Sequence, residues 1–467
     1  MTKSWIALML ALAACAPVGP DHHPLPPSPT ADWQQRGTVS ATNTAALPWW
    51  HSFDDADLIA AVETALTANQ DLAQAEARLR EARALRQGAL AEQAPSGGGR
   101  VDAQRERSSA YAVRSDNAPS ANWHFEIGFD ADWEIDLFGH RRRAIEAAEA
   151  DLAARAAERR AIALTIAAET ARTVLDIRQI SARRRLIDQE WADRVRLIEI
   201  LGLRRQAGLA TIADLALAET DRDMLQASRI ALTTDQDRAL ARLAVLTGAQ
   251  QPPRLRASAD LPRLTIPLSI TTPVEILADR PDVQAAERQL AAVTAGIGVI
   301  TAELYPRLSF GGSLGSAGTS LGQFASSDGV FFGLGPRLRW PILELDRIRA
   351  RISAQNARAD QALAALHQKM LLAVEEVETA LSAYNTARQR QAALETALSS
   401  AQSLLTAEEN RFSAGRIDLR AVLDARQKLQ TLHRDRLEAH ANEIAAAIAL
   451  FKASSPRITP IATGPTG

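Results

Sequence analysis

The feature that most constrains this chain is an internal repeat built around a helix too long to stand alone. Asp71, Glu76, Leu79, Glu92 and Pro95 recur 211 positions later as Asp282, Glu287, Leu290, Glu303 and Pro306. Trp133 and Ile135 recur 207 positions later as Trp340 and Ile342, and Ala207-Gly208 recurs as Ala414-Gly415. The offset changes only between Pro95 and Trp133, which is where a surface loop tolerates a length difference. Repeats organise a fold before any single element does. The chain therefore divides into a first copy over 54–249, a connector over 250–272 and a second copy over 273–453. A leader (1–14), a linker (15–53) and a flexible tail (454–467) complete it.

Each copy has the same order of elements: a helix (54–93, and 273–304), a β segment, a very long helix (140–205, and 346–411), an Ala-Gly turn, and a last helix (212–247, and 418–453). A helix of about 66 residues spans on the order of 100 Å at 1.5 Å per residue. Leu363, Met370, Val377, Tyr384, Gln391, Leu398, Leu405 and Phe412 stand every seven residues, with only Gln391 polar. Leu152, Ile166, Ile180, Ile187 and Leu201 occupy the equivalent row of the first copy, interrupted by Arg159, Thr173 and Arg194. A period of seven implies supercoiled packing against neighbouring helices. These rows are structural core rather than a cofactor box.

Composition points to a second material. The chain is 46% hydrophobic but only 4% aromatic. Twelve of its 21 aromatic residues fall in two windows, 111–138 and 305–340. Within 124–136, Phe125, Ile127, Phe129, Ala131, Trp133 and Ile135 alternate with Glu126, Asp130, Asp132, Glu134 and Asp136, the period of a strand with one apolar face. Phe332, Leu334, Pro336, Leu338 and Trp340 keep that phase in the second copy, with Gly333, Gly335, Arg337 and Arg339 opposite. Leu308, Phe310, Gly312 and Leu314 form a partner strand, and Val101–Tyr111 is the fourth by position alone. A water-soluble sheet covered by helices would show the same alternation. Strand length and clustered aromatics suit a membrane barrel. Four strands cannot close a barrel, which needs about eight, so the protomer contributes to an oligomeric one or the strands lie on something else.

The amino terminus sets the compartment. Lys3 followed by the apolar run Trp5–Leu12 reads as a signal peptide. It ends in Leu12-Ala13-Ala14-Cys15, which resembles a bacterial lipobox with Cys15 as the lipidated first mature residue; the alternative is an ordinary signal beside an incidental cysteine. Cys15 is the chain's one cysteine, which excludes a disulfide framework and a Cys-rich zinc site. Residues 16–31 read as a stiff proline-rich tether without a core, in which His22 and His23 are incidental. With 53 basic and 55 acidic residues, the chain lacks the basic excess of a nucleic-acid binder. There is no HExxH, no P-loop and no paired histidine at helix spacing, so no cofactor, metal or catalytic residue is expected.

Trp133-Glu134-Ile135-Asp136-Leu137-Phe138-Gly139, followed by Arg141-Arg142-Arg143, resembles the outer-membrane efflux proteins, the TolC-like channels. Arg280-Pro281-Asp282-Val283-Gln284-Ala285-Ala286-Glu287-Arg288 and Gly335-Pro336 through Trp340-Pro341-Ile342 are similar to their NodT-type lipoprotein branch. The resemblance runs from about Trp49 to Lys452. It implies a mainly α fold with a membrane β part: a homotrimer whose four strands per protomer build a twelve-stranded barrel in the outer membrane, above a periplasmic α-barrel of long helices. It also implies a periplasmic adaptor (membrane fusion) protein and an inner-membrane pump as partners. On that resemblance Ala207, Gly208, Leu209, Ala414, Gly415 and Arg416 form the adaptor-contacting tips. Asp424 falls in an acidic gate ring, and Arg420 stands where an apolar gate residue is usual; the two, four apart on a helix, are expected to pair within or across protomers. Asp130, Asp132, Glu134, Asp136, Arg337 and Arg339 are expected in the barrel lumen. Phe125, Ile127, Phe129, Trp133, Phe332, Leu334, Leu338 and Trp340 are expected to face outer-membrane lipid.

The leading expectation is a passive exit duct in the outer membrane of a Gram-negative bacterium, driven by a partner pump. A lipid-anchored coiled-coil rod with a β cap is the alternative that explains the heptads but leaves the aromatic strands idle. An anchored enzyme has no constellation to support it.

Overall fold

The computed structural model describes residues 16–24, 32–34, 48–107, 121–256, 260–265, 268 and 270–455. Cys15, Tyr111 and the tail from 456 onward lie outside the described residues. Twelve main elements follow in order: α1 (Ala56–Ala68), α2 (Gln70–Ala91), β1 (Ser96–Arg107), β2 (Ala121–Ile135), α3 (His140–Gln206), α4 (Ile212–Leu246), α5 (Pro273–Asp279), α6 (Pro281–Ala302), β3 (Arg307–Gly318), β4 (Val330–Arg339), α7 (Leu345–Ser413) and α8 (Leu419–Ser454). The very long helices run to 67 and 69 residues.

Compact packing cuts across the two copies rather than following them. One unit combines Met1–Leu25, Arg78–Ala156 and Ala285–His367; the other combines Pro26–Ala77, Ala157–Gln284 and Gln368–Gly467. Each unit therefore draws on both copies.

The first unit holds the sheet, in the order β1-β2-β3-β4 with every neighbouring pair antiparallel. β1 and β4 are its edges. The described start of the chain is docked here, not free as the proline-rich composition implied. The Val18 amide donates to the Phe138 carbonyl at 3.1 Å. The buried guanidinium of Arg143 donates to the Val18 and Gly19 carbonyls, both at 3.1 Å, and to Asp21 at 2.7 Å. His22, read from sequence as incidental, bonds Glu287 at 2.7 Å. Gly139 has φ +82°, and a Cβ there would stand 2.5 Å from the Cα of Pro17. Glycine is what lets the strap lie this close.

The second unit is helical, and its core gathers several of the remaining aromatics. Trp49 stacks on Phe451 at 5.4 Å between ring centroids, and Phe53 meets the same ring edge-on. Leu58, Val62, Leu175, Val377, Leu381 and Ile448 surround this cluster. Trp33, from the linker, is buried and donates its indole N–H to the Thr271 carbonyl at 2.7 Å.

The expected single helices 54–93 and 273–304 are each two, broken at Asn69 and Arg280. Both break residues take extended backbone angles. Arg280 does so because the ring of Pro281 disfavours the α region at the preceding residue. Asn69 does so as a cap: its Oδ1 accepts from the amides of Asp71 and Leu72 at 2.9 and 3.2 Å. The two breaks serve one purpose. Asn69 Nδ2 donates to the Leu246 carbonyl at 3.0 Å, and Arg280 Nη1 donates to the Ala453 carbonyl at 2.9 Å. These carbonyls close the last helix of each copy, where the helix itself offers no donor. Different side chains thus make the same tie at repeat-equivalent positions.

Candidate functional site: a two-faced sheet and a pair of hairpin tips

Strand register decides which side chains of the sheet share a face. Ile127 lies opposite Val101 and Ser316, Phe129 opposite Leu314, and Leu314 in turn opposite Phe332. Trp133 lies opposite Phe310, and Gly312 opposite Leu334. One face is thus apolar across β2, β3 and β4. Its residues stand out from the protomer: Phe332 is 83% exposed, Leu334 74% and Leu338 69%. In β1 this face carries Gly97, Gly99, Val101 and Ala103, so there the apolar band is thin.

The opposite face is charged. Arg100 pairs with Glu126 at 2.5 Å and stands 3.7 Å from Asp130. Arg337 reaches Asp132 at 3.9 Å across Gly311, where a Cβ would stand 2.9 Å from Asp132 Oδ1. Glu134 contacts Arg141 at 3.3 Å, and Arg307 lies opposite Arg339. One expected member behaves differently, and one residue assigned to neither face joins this one. Asp136 lies beyond β2 and accepts from the Arg142 amide at 3.0 Å, closing the first turn of α3. Phe331 belongs to this polar face, with its ring over Gly128 and Gly315. Arg100 and Glu126 form the shortest ion pair on this face, yet alternation alone could not single them out.

Trp133 and Trp340 mark the end of the sheet. Trp340 follows the last residue of β4 rather than lying within it. The Trp133 indole donates to the Gln93 carbonyl at 2.9 Å, and the Trp340 indole to the Leu304 carbonyl at 3.0 Å. Gln93 and Leu304 are themselves 211 positions apart, so the repeat arithmetic contained the signal for these acceptors. Phe138 stacks on Tyr305 at 4.6 Å beside them.

The two hairpins of the second unit turn at Gly208 (φ +69°) and Gly415 (φ +68°). The Leu209 amide returns to the Arg204 carbonyl at 2.7 Å, and the Arg416 amide to the Arg411 carbonyl at 2.9 Å. These are the six-to-one bonds of a glycine-terminated helix. Thr211 and Asp214 then form a capping box for α4, while Asp418 caps α8. Ala207, Gly208, Leu209, Ala414, Gly415 and Arg416 are all exposed. The hairpins are joined by Leu419 and Leu423, which pack with Leu197, Leu201 and Ala218. Arg204 also lies over the Phe412 ring at 5.4 Å.

The expected Arg420–Asp424 pair does not form within the protomer. Both residues are exposed, and the Arg420 charge is felt only weakly at Asp214 of the other hairpin. Hydrogen bonds from the Thr211 amide and hydroxyl, with the Arg420 charge added, hold the Asp214 carboxyl below its ordinary value. On the same helix Leu419 and Leu423 pack toward the first hairpin.

Residues 61–249 and 272–454 each match the outer membrane efflux protein family. The chain belongs to that family. Among its relatives, the pyoverdine export outer membrane protein OpmQ of Pseudomonas putida is 28% identical over 467 residues, covering 96% of each chain. Nodulation protein T of Rhizobium leguminosarum bv. viciae is 28% identical over 433 residues, covering 91% of this chain and 87% of its own. The solved outer-membrane channel OprN superposes with a TM-score of 0.85 at 30% identity, over 94% of this chain and 98% of its own. This efflux protein accordingly has the protomer fold of a trimeric, TolC-like channel, mainly helical with a four-stranded sheet. It is an outer-membrane channel component of an efflux or export system.

Proposed function

We propose that three copies assemble edge to edge into a passive, water-filled exit duct. The observation that carries this reading is the sheet, with an unpaired edge at β1 and another at β4, one exposed apolar face and one charged face. An exposed strand edge is a template for pairing, and a closed ring abolishes it. Three four-stranded sheets make twelve strands, above the closure minimum of about eight. The apolar face then meets lipid, and Asp130, Asp132, Glu134, Arg337 and Arg339 line the lumen with Arg100 and Glu126. Such a mixed interior passes solutes without strong charge selection, and no chemical step is assigned to any residue. Trp133 and Trp340 sit at the boundary between lipid and water, where an indole's apolar body and N–H are both served.

The Ala207–Leu209 and Ala414–Arg416 tips meet a periplasmic adaptor, through which an inner-membrane pump delivers substrate. Cys15 carries the lipid anchor. Asp424 contributes to the closing ring, with Arg420 beside it at the gate.

Conductance of the purified full-length protein in planar bilayers tests the duct. Open-state events are expected from the wild type, and Asp424→Ala is expected to raise their conductance. A trimer that never conducts, with cysteines at Phe332 and Leu334 labelled by water-soluble reagents in intact membranes, would instead establish the lipid-anchored rod. Unchanged conductance in Asp424→Ala would remove the gate from the proposal and leave the duct.

A further inference from the structure

A pocket of about 380 Å³ opens in the second unit between α3, the connector and α8. Its charged and titratable lining is Arg185 from α3, Asp260 and Arg263 from the connector, and His433, Arg436 and His440 from α8. Asp260, the one carboxylate among them, is engaged by Arg185 at 3.4 Å. Neither Arg263 nor Arg436 is ion-paired among the described residues. The adjacent Glu190 is answered by Arg434 at 3.4 Å and adds no compensation. Two guanidinium groups from different elements therefore line one opening whose single carboxylate, Asp260, is shared with Arg185, while Asp54, Asp55 and Asp57 border Arg263 only in the adjoining cleft. A guanidinium fork is matched in shape to two oxygens of one anion.

We infer that this pocket binds a multivalent oxyanion, a phosphate ester or a polycarboxylate, between Arg263 and Arg436 with His433 and His440 as proton-linked partners. Burial pushes both histidines down from their ordinary value, and Arg436 pushes them further. Arg263 also acts on His440, against a weaker opposing pull from Glu395 of α7. The free pocket thus disfavours the charged form of both histidines. An arriving anion cancels the positive field that disfavours it, and each histidine then takes up a proton and donates it to the ligand as a hydrogen bond. Binding and proton uptake are linked, so affinity rises as pH falls through the histidine range. The occupied site ties the connector to both α3 and α8, three segments distant in sequence.

Titration calorimetry of the detergent-solubilised full chain tests this, with pyrophosphate and citrate as probes at about pH 6 and about pH 8, either side of the ordinary histidine value. One probe anion per protomer is expected, with at least about tenfold tighter binding at the lower pH. Proton uptake should appear as a dependence of the heat on the buffer's ionisation enthalpy. A preference for either probe supports the site and names the ligand class. Arg436→Gln should weaken binding by about tenfold or more. His433→Gln with His440→Gln should retain binding at the higher pH and abolish the pH dependence. Absence of saturable binding at both pH values would overturn the inference. So would undiminished affinity in an Arg263→Gln, Arg436→Gln variant that elutes and melts as the wild type does.

Discussion

Arg280 offers the sharpest test of how the second copy is held together. Its guanidinium grips both oxygens of Asp282 at 3.0 and 2.7 Å, donates to Glu376 at 2.8 Å, and caps the Ala453 carbonyl at 2.9 Å. Arg280→Leu keeps much of the volume but strands all three acceptors. Breaking a buried ion pair costs about 3–5 kcal/mol. Asp282 and Glu376 are 30% and 48% exposed and recover water in the variant, which brings the ionic loss below that range, to about 2 kcal/mol. An orphaned carbonyl adds about 1 kcal/mol. The expected local loss is therefore about 3 kcal/mol, or roughly a hundredfold in the opening equilibrium that hydrogen exchange reads. Exchange should accelerate by that factor in the last turns of α8 and across α5. Arg280→Lys should recover only part, because an ammonium cannot hold both Asp282 oxygens at once.

The same site predicts a pH dependence. Burial opposes ionisation of Asp282, but the hydrogen bond and charge of Arg280 outweigh it and hold its carboxyl below the ordinary value. A depressed carboxyl contributes stability above its unfolded value of about 4 and loses it as pH falls through the lower folded value. Wild-type protection in these segments should therefore decline in acid, and the decline should be smaller in Arg280→Leu. Exchange in Arg280→Leu within about fivefold of the wild type at neutral pH, where a hundredfold is expected, would refute the account of this cluster.

Other expectations follow from single contacts. Asn69→Ala removes the equivalent tie in the first copy; without an ion pair it should cost less, about 1–2 kcal/mol, read as faster exchange at the end of α4. Gly139→Ala combines a positive φ with a clash at Pro17, and should expose residues 17–22 to limited proteolysis with an otherwise protected sheet. Trp133→Phe with Trp340→Phe should remove the fluorescence quenched by lipids brominated near the headgroup more than that quenched at the bilayer centre. Asp214→Asn weakens the capping box with Thr211, and should speed hydrogen exchange in the first turn of α4 while leaving the last turn of α3 unchanged.

The element order, the long helices, the heptad rows, the two hairpin turns and the two-faced strands were all legible in the sequence, because each depends on periodicity or on residues close along the chain. The repeat extended that reach, since a pattern seen twice needs no alignment to be believed. What only tertiary structure decided is how distant segments share charge. Leu419 and Leu423 pack against the other hairpin, a contact between segments distant in sequence, and the expected Arg420–Asp424 pair does not form within the protomer. Phe331 is on the polar face by alternation, and what tertiary structure added is the room that Gly128 and Gly315 leave for its ring. Residues 17–22 dock because Arg143 is buried where their carbonyls converge. Asn69 and Arg280 make one tie with different side chains, since the fold required a donor at that carbonyl and not a particular residue. The compact units cut across the copies for the same reason: burial is decided by what lies nearby in space, and a helix of about 100 Å delivers its two ends to different neighbours.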